Sequence, residues 1–236
     1  MSTCRYRRSG WMWLPGIAAM LLALLGPLAR GEAMASDRPS PGEVMALPAP
    51  ERTGEAPFES LLQQRTSLRE YAPEPLSLVQ IGQLLWATNG TTQRTYFTHR
   101  TIPSAGALYP LEIYVLTARG VAHYDPFEHR LRWHRAEDAR AALAAAALQQ
   151  SWVREAPAVF VIAAEPARTT VKYGPRGERY VDIECGLACQ NLLLQATALG
   201  LGGVPVGAFE DQAVAEVVGL PAGQVPRLLV PIGRPR

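Results

Sequence analysis

The chain has 236 residues, 48% of them hydrophobic, with 23 basic and 21 acidic side chains. That length suits one domain of ordinary size with a real core. Setting aside the four arginines and one glutamate of residues 1–35 leaves 19 basic and 20 acidic side chains, a balance that argues against the clustered positive charge of a nucleic-acid-binding surface.

Residues 1–35 read as a secretory signal peptide. Arg5, Arg7 and Arg8 give a positive start, Trp11 to Ala29 is almost wholly apolar, and Ala33-Met34-Ala35 offers a small-x-small cleavage site before Ser36. That order is the signature of an export signal, so the expected location is periplasmic or extracellular. The apolar run is nearly long enough to span a bilayer, which makes an uncleaved membrane anchor the alternative. Residues 36–56 are rich in Pro, Gly and charge and read as a flexible linker or an arm lying on the surface. The folded domain is expected over residues 57–236.

Within it, helices and strands mix. A short helix is predicted at 57–64, and a second from Ser77, a plausible N-cap, to Asn89, with Gly90 as its stop. Residues 111–118 (LEIYVLTA) form a strand, and short runs near 121–124 and 130–134 bracket the turn signal Asp125-Pro126, which predicts a hairpin. An Ala-rich helix follows at 139–149, then a buried strand at 157–164 (PAVFVIAA). The longest helix is predicted at 181–199; it is apolar on most faces, so it belongs in the core or at a subunit interface. A strand near 203–206, a helix at 211–218 closed by Gly219, and a last strand from Leu228 to Ile232 complete the chain. Hairpin and crossover elements together imply an α+β domain with a mixed, mostly antiparallel sheet.

Several chemistries lack their motif. The lysine at 172 is followed by Tyr173, so no Gly-Lys-Ser/Thr phosphate loop exists. The glycine-rich stretch 200–207 follows a helix, the wrong context for a dinucleotide fingerprint. No metal-ligand spacing is present; His99, His123, His129 and His134 are scattered over apparent loops and the hairpin. Cys185 and Cys189, on one helix face, read as small buried core residues.

Four segments suit a flat, phosphate-bearing ligand. Arg65-Thr66-Ser67-Leu68-Arg69 flanks a hydroxyl pair with two guanidinium groups, which can hold a phosphate by forked, charge-assisted bonds. Pro103-Ser104-Ala105-Gly106 lies just before a strand, and its small residues let a backbone approach a ligand closely. Gly202-Gly203-Val204-Pro205-Val206-Gly207-Ala208-Phe209 is similarly small and backbone-exposing, and Arg234 sits at the end of the last strand. A further feature is Lys172-Tyr173-Gly174. Lys172 is the only lysine among 23 basic residues, and lysine, unlike arginine, can be tuned to give up its proton.

In this order the segments resemble the nitroreductase-like flavoproteins, and most of all the SagB/ThcOx-type dehydrogenases that oxidise azoline rings in peptides. The resemblance covers about residues 57–236 and is carried by PSAGALYPLE (103–112), RTSLREY (65–71) and the terminal PIGRPR (231–236). It implies a homodimer with FMN at the interface. Arg65, Thr66, Ser67, Arg69 and Arg234 would hold the phosphate and ribityl end. Pro103, Ser104, Ala105 and Gly106 would line the flavin from the partner subunit, and Pro205, Val206 and Gly207 would offer backbone groups to its ring. Lys172 and Tyr173 match an adjacent Lys-Tyr pair that handles the departing proton in the azoline-oxidising members. Related sequences often read Glu-Ala-Gly-His at the start of the long helix, where this chain has Glu184-Cys185-Gly186-Leu187. The expected activity is hydride transfer between an organic substrate and FMN, with an azoline-like heterocycle in a peptide as substrate class. The alternatives are an NAD(P)H-dependent nitro- or quinone reductase, and a non-catalytic scaffold partner in a complex.

Overall fold

The computed structural model describes residues 38–94 and 98–236; the expected signal peptide lies outside them. A seven-stranded sheet forms the centre. Its strands are β1 (Val44–Ala46), β4 (Leu111–Thr117), β5 (Gly120–Asp125), β6 (Arg130–Arg135), β7 (Ala158–Ala164), β8 (Gly202–Gly203) and β9 (Val225–Gly233). Their spatial order is β1-β6-β5-β4-β7-β9-β8, with every neighbouring pair antiparallel. A separate hairpin joins β2 (Thr91–Arg94) to β3 (Thr98–Arg100).

Both faces of the sheet are covered, which explains why the central strands lack a polar face. In β4, Leu111, Ile113 and Val115 enter one core while Tyr114 and Leu116 enter the other; in β7, Phe160 and Ile162 alternate in the same way with Val159 and Val161. The first core is closed by α2 (Leu78–Asn89), through Ile81, Leu84 and Leu85, and by the long helix α6 (Arg176–Ala198), through Ala188, Leu192 and Ala196. The second core is closed by α3 (Arg140–Ala146), α4 (Ser151–Glu155) and α7 (Asp211–Val218), through Leu143, Val153, Val214 and Val218. Two short helices remain: α1 (Phe58–Gln64), and α5 (Ala167–Tyr173) directly before α6.

Local chemistry sets several boundaries as the sequence predicts. Ser77 Oγ accepts from the Gln80 N–H at 3.2 Å and Gln80 Oε1 accepts from the Ser77 N–H at 3.0 Å, a capping box that satisfies two otherwise orphan donors of α2. Gly219 closes α7 in the left-handed conformation at φ 78°. The 120–135 hairpin turns at Asp125, whose carboxylate accepts from the Phe127 and Glu128 N–H groups. Cys185 and Cys189 are buried and unpaired, and burial pushes their thiols up to about 12 and about 11.

Other expectations are corrected. The segment 36–56, expected to be a linker or surface arm, supplies the edge strand β1. Val44, Met45 and Ala46 pair with Arg132, Leu131 and Arg130, the Trp133 N–H donates to the Glu43 carbonyl at 2.9 Å, and Leu47 is buried. Its Pro, Gly and charge hide a short stretch whose partner strand is about ninety residues away in sequence. The long helix begins at Arg176 rather than 181, because its first turn is polar and carries no apolar period. Its apolar side chains are not all covered within the chain: Ile183 and Leu187 are 51% and 40% exposed. The strand expected near 203–206 shrinks to the Gly202–Gly203 pair and an isolated bridge from Val206 to Leu229.

Candidate flavin site

Three of the singled-out segments meet at one end of the sheet. The stretch after α1 runs beside β8, where the Leu68 N–H donates to the Gly203 carbonyl at 3.0 Å. The Ala72 N–H donates to the Arg234 carbonyl at 2.9 Å, just past the end of β9. Tyr71 is buried, and its hydroxyl lies 2.7 Å from the Leu68 carbonyl oxygen and 3.2 Å from that of Pro231; burial holds this phenol above its usual pKa. Arg65, Thr66, Ser67, Arg69 and Arg234 therefore stand on adjacent backbone segments. The closeness depends on Gly203: a Cβ there would run into the Pro231 carbonyl oxygen and the Ile232 side chain. Among the described residues, Arg65, Arg69 and Arg234 form no ion pair with a carboxylate; the Arg69 guanidinium lies 5.5 Å from the centre of the Trp152 ring. Cations on such a glycine-lined strip, without carboxylates to neutralise them, fit a phosphate.

The other group lies at the opposite end. The loop before β4 contains Pro103, Ser104, Ala105 and Gly106, with Gly106 at φ +64°. A Cβ at Gly106 would lie 2.9 Å from both Lys172 Nζ and Tyr173 Oη. Lys172 and Tyr173 end α5, so the pair lies on a helix rather than in a loop; Lys172 is exposed, and the Tyr173 ring packs edge-on against Tyr180 with centroids 5.1 Å apart. The loop is anchored from behind by Glu184. Its Oε1 accepts from Ser104 Oγ at 3.0 Å and from the Ala105 N–H at 2.9 Å, while Ser104 Oγ accepts from the Tyr109 N–H at 2.8 Å. Glu184 is 3% exposed, and its Oε2 is buried without a partner. Burial raises its pKa above the usual carboxylate value, against the two hydrogen bonds and the nearby Arg100 charge.

One chain does not bring the two groups together. Ala164 of β7 pairs with Leu111, next to the 103–106 loop, whereas Ala158 pairs with Ile232, next to Arg234. Six strand steps separate them, roughly 20 Å. Pro205, Val206 and Gly207 run along β9 between the ends. The Val206 N–H and carbonyl are both committed to Leu229, at 2.8 and 3.0 Å. Pro205 has no N–H, so the free backbone donor of this segment is Gly207; Val206 holds the strip in place instead of offering its own N–H.

Sequence reasoning noticed Glu184 only as the start of a helix motif. In the structure it is the buried hydrogen-bond acceptor that shapes the 103–106 loop. The signal was an acid among buried positions of α6, next to Cys185 and four residues before Ala188. Arg100, whose charge reaches Glu184, carried no signal in the sequence.

Comparison with known proteins gives the family and the fold. Residues 62–234 match the model of the Nitroreductase family. A Methanocaldococcus jannaschii protein named as a candidate nitroreductase is 43% identical over 199 residues, 82% of this chain and 98% of that protein. The crystal structure of a candidate nitroreductase from Ralstonia eutropha superposes with a TM-score of 0.74 at 31% identity, covering 89% of this chain and 96% of that one. The NADPH:FMN oxidoreductase of Vibrio harveyi, solved with NAD+, shares the fold at a TM-score of 0.56 and 20% identity, covering 75% of this chain and 68% of that one. The chain belongs to the nitroreductase family of FMN-dependent oxidoreductases and has the nitroreductase fold.

Proposed function

We propose that this protein is a homodimeric dehydrogenase of the SagB type, which takes hydride from an azoline-like heterocycle in a peptide. The single observation that carries the reading is the convergence of Lys172 Nζ and Tyr173 Oη on Gly106 of the PSAG loop. FMN, when bound, supplies the acceptor for the hydride. Arg65, Ser67, Arg69 and Arg234 would hold its phosphate end, with Thr66 beside them, and Gly207 would offer its N–H to the ring. Pro103 to Gly106 of the partner subunit would close the site. A ring losing a hydride also loses a proton, and Lys172 Nζ is the base placed to take it. Tyr173 Oη, as close to Gly106, orients the ring or relays that proton.

The homodimer rests on the roughly 20 Å between the two halves of the site in one chain, and on Ile183 and Leu187, apolar side chains of α6 left open to solvent. A second reading, an NAD(P)H-dependent nitro- or quinone reductase, is favoured by the Methanocaldococcus relative and its name. Electron supply separates the two. A SagB-type enzyme turns over thiazoline or oxazoline peptides with oxygen as acceptor and no nicotinamide. Turnover confined to nitroaromatics or quinones plus NAD(P)H would establish the second reading and remove the first.

The export reading of residues 1–35 belongs to the same proposal. Mass spectrometry of the protein made in its own cells should find Ser36 at the N-terminus. An intact Met1 in a soluble cytoplasmic fraction would rule out export, and an intact Met1 in the membrane fraction would favour the anchor.

A further inference from the structure

A cavity of about 340 Å³ opens beside the first residues of β4, lined among others by Asn89, Arg100, Glu112, His123, Phe127 and Arg132. Of these residues only Arg100 touches the flavin reading, through its charge on Glu184. The charges around it do not balance. Glu112 is committed to His123 at 2.6 Å and to Arg168 at 2.6 Å, and Arg168 also meets Glu165 at 2.7 Å. Asp125, also on the lining, is committed to Arg130 at 3.0 Å. Arg100 and Arg132 are left, and among the described residues neither has a carboxylate within ion-pair distance.

Arg100 is held as a rigid presenter of charge. Its guanidinium lies 4.5 Å from the centre of the Tyr109 ring and 5.3 Å from that of Phe127, and cation–π contacts of this kind fix its plane. Its Nε is buried without a hydrogen-bond partner. Burial pulls its pKa below the usual arginine value, with Glu112 opposing. On the same lining Asn89 is 2% exposed; its Nδ2 donates to the Leu111 carbonyl at 3.3 Å, but its Oδ1 has no partner. Both residues line the cavity, and each carries a buried polar atom without a partner, which costs free energy until something pairs with it. The volume is at the small end for a ligand pocket.

The geometry points to a binding site for a small planar organic carboxylate. The carboxylate pairs with Arg100 and Arg132, the planar body lies along Phe127, and a hydroxyl or amine at its far end donates to Asn89 Oδ1. Each oxygen of one carboxylate can accept from a different guanidinium, so a single carboxylate can pair with both arginines left without acids. The site adjoins the Lys172–Gly106 cluster, through Arg168 on α5 and the Arg100–Tyr109 contact, but shares no residue with it, so its occupancy is read by binding rather than by turnover.

The test is calorimetric titration of the purified, flavin-loaded protein with 4-hydroxybenzoate as probe. Its neutral isostere 4-hydroxybenzamide and inorganic phosphate are the comparison ligands. Saturable binding of the carboxylate, with the amide at least about tenfold weaker, is expected, since the difference is one charge-assisted pair. Arg100→Gln and Arg132→Gln should each weaken binding about ten- to a hundredfold, and Arg132→Gln should leave flavin content unchanged. Arg132 is on the exposed rim, so its variant remains informative if the Arg100 variant folds poorly. Equal affinity for amide and carboxylate, tighter binding of phosphate, unchanged affinity in Arg132→Gln, or no saturable binding each overturns the proposal; the last means that the cavity holds water alone.

Discussion

Gly106 and Lys172 are matched to each other: the lysine Nζ lies 2.9 Å from where a Gly106 Cβ would stand, and the glycine backbone is left-handed at φ +64°. Gly106→Ala therefore carries two penalties. An alanine in that conformation costs about 1–2 kcal/mol, and its methyl displaces Lys172 Nζ and Tyr173 Oη. Both are ends of side chains that can swing away, so the stability loss should stay near the backbone figure. Turnover should fall further than the melting temperature alone explains. Unchanged turnover in a folded Gly106→Ala protein would separate Lys172 from the reacting centre.

Lys172→Arg tests proton transfer directly. The chain uses arginine at its other 22 basic positions, so positive charge alone is readily supplied that way. Arginine keeps its proton at any working pH. The substitution should leave flavin content and oligomeric state intact and lower turnover by about 100- to 10,000-fold, the usual contribution of an acid–base group. Tyr173→Phe should cost less. Steady-state kinetics on azoline peptides measures both, and full activity in Lys172→Arg would shift the assignment to the general reductase.

Arg65→Ala and Arg234→Ala should each weaken FMN retention by about 1.5–3 kcal/mol, the worth of a charge-assisted contact, as read by flavin absorbance after dialysis. The same variants test the division of the site between subunits. Chains carrying both changes, mixed and refolded with Lys172→Arg chains, should regain about a quarter of wild-type turnover, because in a two-fold dimer half the molecules are heterodimers with one intact site. No recovery, together with a flavin-loaded monomer by light scattering, would contradict the shared site.

Glu184 gives a pH signature. Burial raises its folded-state pKa, so between the unfolded value near 4.3 and the raised folded value the native state holds the extra proton. Stability contributed by this group is present at low pH and is lost as pH rises through the folded pKa. Glu184→Gln keeps an acceptor for Ser104 and Ala105 without a titrating charge. Thermal unfolding should find the variant more stable than wild type at pH 8, with the difference fading or reversing near pH 4. A pH-independent difference would show that Glu184 does not titrate in this window.

Much of the fold was legible because local physics set it. The alternation of apolar side chains in 111–117, Ser77 with Gln80, and Gly219 behind α7 each name an element through contacts within a few residues. The phosphate-suited arginines and the small-residue segments were legible as residue types in a recognisable order. The edge strand at Val44–Ala46 was not, because its identity comes from pairing with Arg130–Arg132 across the chain. Nor was the meeting of Gly106 with Lys172, or of Leu68 with Gly203, since these depend on which ends of the sheet strands place side by side. The sequence by itself determined the chemistry present: guanidinium groups, one lysine and glycines where backbones could approach. Tertiary structure alone decided that this chemistry divides between two ends of a sheet about 20 Å apart, because antiparallel strands place their connecting segments at opposite strand ends. It also left Arg100 and Arg132 without acids around one cavity, a charge imbalance that exists only once Glu112 and Asp125 have found other partners.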